Sequence, residues 1–140
     1  MRVLVIDDEP DVLLLCRVNL QYAGHEVLEA PDGERGLELA RTARADLILL
    51  DVMLPERDGL SILRDLAEHP MTAGTPVVLL TAKAQLEDQL RGWRAGCTEY
   101  VTKPFSPADL SDLVATIHSM SDEQRRLRRE RAIEELAGAR

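Results

Sequence analysis

The chain has 140 residues, 45% hydrophobic and 30% charged, which suits one domain able to bury a core; with only 3% aromatic residues, that core is aliphatic. The net charge is −8, and because the last twenty residues hold six arginines against five acids, the body carries eleven basic residues against twenty acidic ones. A body this acidic argues against broad binding to nucleic acid or anionic membrane and suits metal cations or basic partners.

In chain order, Val3-Leu4-Val5-Ile6 is a continuous apolar run, as expected of a strand covered on both faces of a parallel sheet. Asp8-Glu9-Pro10 opens a first helix, with proline in its first turn, and Gly24 closes it. Val27-Leu28, flanked by polar residues, predicts a peripheral strand. Asp32 caps a second helix with a small apolar face of Gly36, Leu39, Ala40 and Ala43. Leu47-Ile48-Leu49-Leu50 is a second buried strand, followed by a third helix over about 59–68 that Pro70 stops. Val77-Val78-Leu79-Leu80 is a third buried strand, and a fourth helix over about 84–95 ends at Gly96. Tyr100-Val101 is a second peripheral strand. Ser106, Pro107 and Asp109 start a fifth helix in a capping-box-like arrangement, with Leu110, Leu113, Val114 and Ile117 on its core face. A strand–helix unit repeated five times predicts an α/β fold with a doubly wound parallel sheet and helices on both faces.

In such sheets ligands bind beyond the carboxyl ends of the strands. The first strand ends in Asp7-Asp8, the third in Asp51 and the fourth in Thr81, and Lys103 follows the fifth. Each has a plainer reading alone: Asp7-Asp8 and Thr81 as helix caps, Asp51 as a turn residue, Lys103 as a surface cation. In register on one rim they read together. Clustered carboxylates repel unless a hard cation sits among them, and Mg²⁺ prefers oxygen ligands. An ammonium and a hydroxyl beside them would hold phosphoryl oxygens, so the set reads as a phosphoryl-transfer site with aspartate as nucleophile.

These residues resemble the response-regulator receiver family of two-component signalling. The matching stretches are Val3 to Pro10, Asp51-Val52-Met53-Leu54-Pro55 with Asp58-Gly59, Thr81-Ala82-Lys83, and Tyr100-Val101-Thr102-Lys103-Pro104-Phe105. The resemblance implies a flavodoxin-like five-stranded sheet in the order 2-1-3-4-5 over residues 1–120, with residues 121–140 as a helical tail or linker. It implies that Asp51 accepts phosphate from a sensor histidine kinase or a histidine phosphotransfer protein. Asp7, Asp8, Asp51 and the backbone carbonyl of Met53 would bind Mg²⁺, or Mn²⁺ in its place. Lys103 and Thr81 would contact the phosphoryl group, Tyr100 would be the switch aromatic, and Pro104 would follow a cis bond. Output would pass through the face of helix four, strand five and helix five to an effector or a second copy of the chain, without direct contact to nucleic acid or membrane.

Some positions depart from the family's common pattern. Met53 and Lys83 stand where the rate of aspartyl-phosphate hydrolysis is tuned, and an apolar residue there predicts a long-lived phosphate. Glu56-Arg57 makes the loop after Asp51 more charged than usual. Pro107-Ala108-Asp109 lacks the arginine that receivers of winged-helix regulators use in a salt-bridged dimer. Trp93 is expected to be partly exposed on the fourth helix. The tail is expected to be a solvated helix extending the fifth, with Asp122–Arg126 and Arg131–Glu135 at i,i+4 spacing; a short coiled coil through Leu113, Ile117, Met120 and Leu127 is the alternative.

Cys16 and Cys97 are too few for a disulfide scaffold; two buried free thiols in a reducing cytosol are favoured over a single bridge. No signal-peptide pattern follows Met1-Arg2, and no apolar run approaches the ~18 residues of a membrane span, so a soluble cytoplasmic protein is expected. Two other functions compete with a phosphorylated switch. A pseudo-receiver that only binds partners conflicts with the intact Asp7, Asp8, Asp51, Thr81 and Lys103. A phosphatase with an aspartyl intermediate needs a second acid two residues past the nucleophile, where Met53 stands. The expectation is therefore a phosphoacceptor switch rather than an enzyme, capable only of Mg²⁺-dependent self-phosphorylation and slow autodephosphorylation.

Overall fold

The continuous apolar runs form the inner strands, because only side chains without polar atoms can be covered from both sides. The computed structural model, which describes residues 1–139, contains β1 (Arg2–Ile6), α1 (Pro10–Tyr22), β2 (Glu26–Ala30), α2 (Gly33–Thr42), β3 (Leu47–Leu50), α3 (Gly59–Glu68), β4 (Val77–Thr81), α4 (Leu86–Arg94), β5 (Glu99–Thr102), α5 (Pro107–Ser119) and α6 (Asp122–Gly138). All strand pairs are parallel, in the order β2-β1-β3-β4-β5. The two polar-flanked runs are the edge strands.

Strand alternation divides the core in two. Val3, Val5, Leu47, Leu49, Val78 and Leu80 face one side, against Cys16 and Leu20 of α1 and Leu110, Val114 and Ile117 of α5. Leu4, Ile6, Ile48, Leu50 and Leu79 face the other, against α2, α3 and Trp93 of α4. Truncating any of the fully buried leucines to alanine removes ~2–5 kcal/mol.

The helix ends follow local chemistry. Asp32 and Ser106 cap α2 and α5, accepting from the backbone N–H of Arg35 at 2.8 Å and Asp109 at 3.4 Å. Gly24 and Gly96 close α1 and α4 at φ 94° and 108°, a region that favours glycine. Helix α4 is shorter than the expected 84–95 because Gln85 is extended, at φ −70° and ψ 152°. The buried face of α2 is Gly33, Gly36, Leu37 and Ala40. Leu37 therefore takes the place expected of Leu39, which is half-buried, and this set follows the i, i+3, i+4, i+7 spacing of one helical stripe.

The tail differs most from expectation. It does not extend α5, because Met120 is extended (φ −77°, ψ 144°) and Ser121 with Gln124 forms a capping box that starts a new helix. Helix α6 folds back, and its Ala132, Ile133 and Leu136 pack against the core cluster that holds Trp93 and Cys97. Trp93 is consequently buried, at 4% exposure, rather than partly exposed. The break at Met120 also separates Leu127 from the α5 residues of the expected heptad. Asp122 pairs with Arg125 at 3.2 Å, while Arg126 pairs with Glu123 and Glu130. Arg125 also donates to the carbonyls of Ile117 and His118, satisfying the open end of α5.

Candidate phosphoryl-transfer site

Strand register builds the site. Ile6 of β1 lies opposite Leu50 of β3, so the next residues, Asp7 and Asp51, leave neighbouring strands side by side. Thr81 ends β4 opposite Thr102, and Lys103 follows, its N–H donating to the Thr81 carbonyl at 2.8 Å. Asp7, Asp51 and Thr81 are buried at 1%, 3% and 0% exposure, while Asp8 is exposed at the rim.

The Lys103 ammonium joins three acids. Its Nζ donates to Asp7 Oδ2 at 2.8 Å, Asp51 Oδ2 at 3.0 Å and Glu9 Oε1 at 3.0 Å. The second oxygen of each buried aspartate accepts a backbone N–H, Asp7 Oδ1 from Glu9 at 2.9 Å and Asp51 Oδ1 from Met53 at 2.9 Å. Both carboxylates are thus fixed in orientation. Burial is the main influence on Asp7 and holds its carboxyl above the ordinary value, against the opposing hydrogen bond from Lys103. For Lys103, burial alone would lower the pKa, but the hydrogen bonds to Asp7, Glu9 and Asp51 outweigh it and hold the ammonium above its usual value.

Asp7, Asp8 and Asp51 each offer one carboxylate oxygen within 4.8 Å of the others. In octahedral coordination at ~2.1 Å, ligand oxygens lie about 3–4 Å apart, so a small contraction would fit these three around one Mg²⁺. An all-oxygen donor set beside open solvent at Asp8 matches a hard cation that keeps some of its waters.

Thr81 Oγ1 accepts the N–H of Lys83 at 3.3 Å. Tyr100 lies outside the acidic cluster: it is half-buried, and its hydroxyl donates to the carbonyl of Lys83 at 2.6 Å. The Lys103–Pro104 peptide bond is cis. Met53 is 53% exposed on the loop after Asp51. In that loop Arg57 bridges Glu34 and Asp65, both at 2.8 Å.

Two features escaped sequence reading. Glu9 is a third acceptor for Lys103, signalled only by its place after Asp7-Asp8. Gly59 is the other: a Cβ there would stand 2.2 Å from the Asp51 carbonyl oxygen and 2.6 Å from Val52 Cα, so α3 approaches the Asp51 backbone as only glycine allows.

Residues 3–115 match the family model described as the response regulator receiver domain. The chain is 40% identical over 119 residues to the DNA-binding dual master transcriptional regulator RpaA of Synechocystis, covering 85% of this chain and 48% of that protein. It is 39% identical over 121 residues to the alkaline phosphatase synthesis transcriptional regulatory protein PhoP of Bacillus subtilis, covering 86% and 50%. The chain thus spans about half the length of these curated relatives. Among solved structures, a receiver domain protein of Methanospirillum hungatei superposes with a TM-score of 0.79 at 28% identity, covering 89% of this chain and 96% of that one. Chemotaxis response regulator CheY4 of Vibrio cholerae gives 0.78 at 31%, covering 83% and 97%. Among the described residues no helix is long and apolar enough to cross a membrane. With the sheet order 2-1-3-4-5, the acidic strand-end cluster and these matches together, the chain belongs to the response regulator receiver domain family of two-component signalling.

Proposed function

We propose that Asp51 is the phosphoacceptor of a signalling switch in cytosolic two-component transduction, with a sensor histidine kinase or histidine phosphotransfer protein as donor. The observation that carries this reading is the buried Asp51 carboxylate held 3.0 Å from the Lys103 ammonium beside Asp7. Asp51 Oδ2 attacks the phosphorus of a phosphohistidine in line; the P–N bond breaks, and the histidine nitrogen keeps the electron pair and takes a proton. Lys103 exchanges part of its contact with Asp51 for an oxygen of the transferred group, and Thr81 turns its hydroxyl from Lys83 toward another. Asp7, Asp8, Asp51 and the Met53 carbonyl would hold Mg²⁺, or Mn²⁺. When bound, the cation supplies the charge that offsets the cluster's negative oxygens and those of the phosphoryl group.

When Thr81 turns, the loop carrying Lys83 moves, and Tyr100 follows because its hydroxyl is bonded to that loop. The face of α4, β5 and α5 then changes its affinity for an effector or a second copy of the chain. The receiver comprises residues 1–120 and the tail residues 121–140. An exposed apolar Met53 beside Asp51 disfavours an attacking water, so autodephosphorylation is slow.

Incubation with Mg²⁺ and acetyl phosphate tests the reading by intact mass. One added phosphoryl group on the native chain, and none on Asp51→Asn or in chelator, is the expected result. Absence of labelling points to a pseudo-receiver, and rapid turnover of many phosphoesters to a phosphatase; either outcome overturns the proposal.

A further inference from the structure

Helix α6 lies over the α4–β5 surface, and arginines hold it at two points on that edge. Arg128 pairs with the buried carboxylate of Glu99, its Nε donating to Oε2 at 2.8 Å. Arg129 Nε donates to the carbonyl of Cys97 at 3.0 Å. Further along the helix, Ala132, Ile133 and Leu136 form a small aliphatic stripe against the cluster containing Trp93. Arg125, Arg128 and Arg129 are therefore anchors to this domain rather than parts of a free basic patch.

The same surface reaches the acidic site through a short series of contacts. Tyr100 lines the cleft between α6 and the α4–β5 edge, a cavity of about 800 Å³, together with Trp93, Leu127 and Leu136. Its ring lies against α4 at Gly92, where an added Cβ would come within 2.8 Å of it. Its hydroxyl is bonded to the Lys83 carbonyl, and the Lys83 N–H to Thr81 Oγ1. Movement of Thr81 thus reaches the floor of the α6 cleft through one residue of loop and one aromatic ring.

The geometry points to the α4–β5 surface as a helix-binding face whose resident occupant is α6, docked in the unphosphorylated state and loosened when Asp51 is phosphorylated. This rests on the phosphoacceptor reading above. The partner that gains access is a helix of the same chemistry as α6: a small aliphatic stripe preceded by one arginine that can reach Glu99 and a second that can reach the Cys97 carbonyl. Docking of α6 and activation at Asp51 are then reciprocally linked, each weakening the other by the same factor.

Trp93 is the only tryptophan in the chain and sits beneath α6, so it reports docking directly. The experiment uses the full chain with Mg²⁺ and fluoroberyllate, a phosphoryl mimic. It reads acrylamide quenching of Trp93 and hydrogen exchange across α6, with ¹⁹F resonance of bound fluoroberyllate recorded on the same sample. The expected result is at least a twofold rise in the quenching constant and at least tenfold faster exchange in α6, with α2 unchanged and no response from Asp51→Asn. Arg128→Gln and, separately, Glu99→Gln loosen α6 and are expected to bind fluoroberyllate severalfold more tightly. Bound fluoroberyllate with unchanged quenching and exchange overturns the docking proposal alone. Absence of the bound resonance overturns the Asp51 reading, and the docking proposal with it.

Discussion

Lys103 Nζ lies 3.0 Å from Asp51 Oδ2, and both side chains are largely withdrawn from water, at 11% and 3% exposure. With Asp7 at 1% exposure bonded to the same ammonium, two buried carboxylates depend on one cation. Removing one member of a buried pair costs ~3–5 kcal/mol because the other is left uncompensated. Lys103→Met is therefore expected to lose about 3 kcal/mol in urea unfolding at neutral pH with chelator present. Added Mg²⁺ is expected to recover part of this, since the ion binds only the folded cluster. An unchanged midpoint in chelator would show that the ammonium contributes nothing net to the fold.

Gly59 sets a second expectation. Its N–H donates to the Val52 carbonyl at 2.8 Å, and a methyl group there meets backbone atoms that cannot rotate away. Gly59→Ala is expected to cost about 2–3 kcal/mol, as overpacking does, and to slow acetyl phosphate labelling because Asp51 shifts with its carbonyl. Gly74, with open space around its Cβ direction, is the control; Gly74→Ala is expected to stay within about 0.5 kcal/mol of the native chain. Equal stability of the two variants would refute the close-approach argument.

The sheet was legible because its signal is redundant: three unbroken apolar runs can only be inner strands, and each ends in a residue whose chemistry makes sense at one rim. Lys103 was legible at the rim for the same reason, although its third acceptor, Glu9, was not, since an exposed acid before a proline reads as the start of a helix. The tail was misread because charge pairing along a helix says nothing about what the helix lies on. Ser121 and Gln124 carried a capping-box signal as clear as that at Ser106, and it marks where α5 stops. Trp93 followed from that error. Helix α6 folds back so that Ala132, Ile133 and Leu136 pack against the cluster that holds Trp93, a contact no pattern within α4 announces.

The cysteines give a third expectation. Cys16 is 1% exposed, and burial, reinforced by the Asp7 carboxylate, pushes its thiol up to about 12. Since the thiolate is the reactive species, both buried thiols are expected to resist an aromatic disulfide reagent at neutral pH and to react at the rate of unfolding. Both are free in the fold, so two equivalents are expected in urea without reductant. Rapid labelling of the native chain would show that α1 or α6 opens locally, and labelling kinetics of Cys16→Ser would identify which.

Tyr100 gives a pH dependence with a definite sign. Burial, with a further contribution from the Asp88 carboxylate, pushes its hydroxyl from the ordinary 10.0 up to about 12. The folded chain therefore keeps this proton where the unfolded chain has lost it. The contribution to stability is fully present below about pH 10 and is lost as pH rises toward about 12. Other groups titrate in that range, so the difference between the native chain and Tyr100→Phe isolates this one. At neutral pH the variant is expected to be less stable by about 0.5–1 kcal/mol, the net value of the lost hydrogen bond to the Lys83 carbonyl. Above pH 10 the gap should narrow, because only the native chain loses the phenol's contribution, and urea midpoints recorded for both proteins across this range would reveal it. A gap that stays constant with pH would mean that the Tyr100 hydroxyl is as free to ionise in the fold as in the unfolded chain. Burial would then not disfavour the phenolate, and the Tyr100 hydroxyl would be as open to water in the fold as in the unfolded chain.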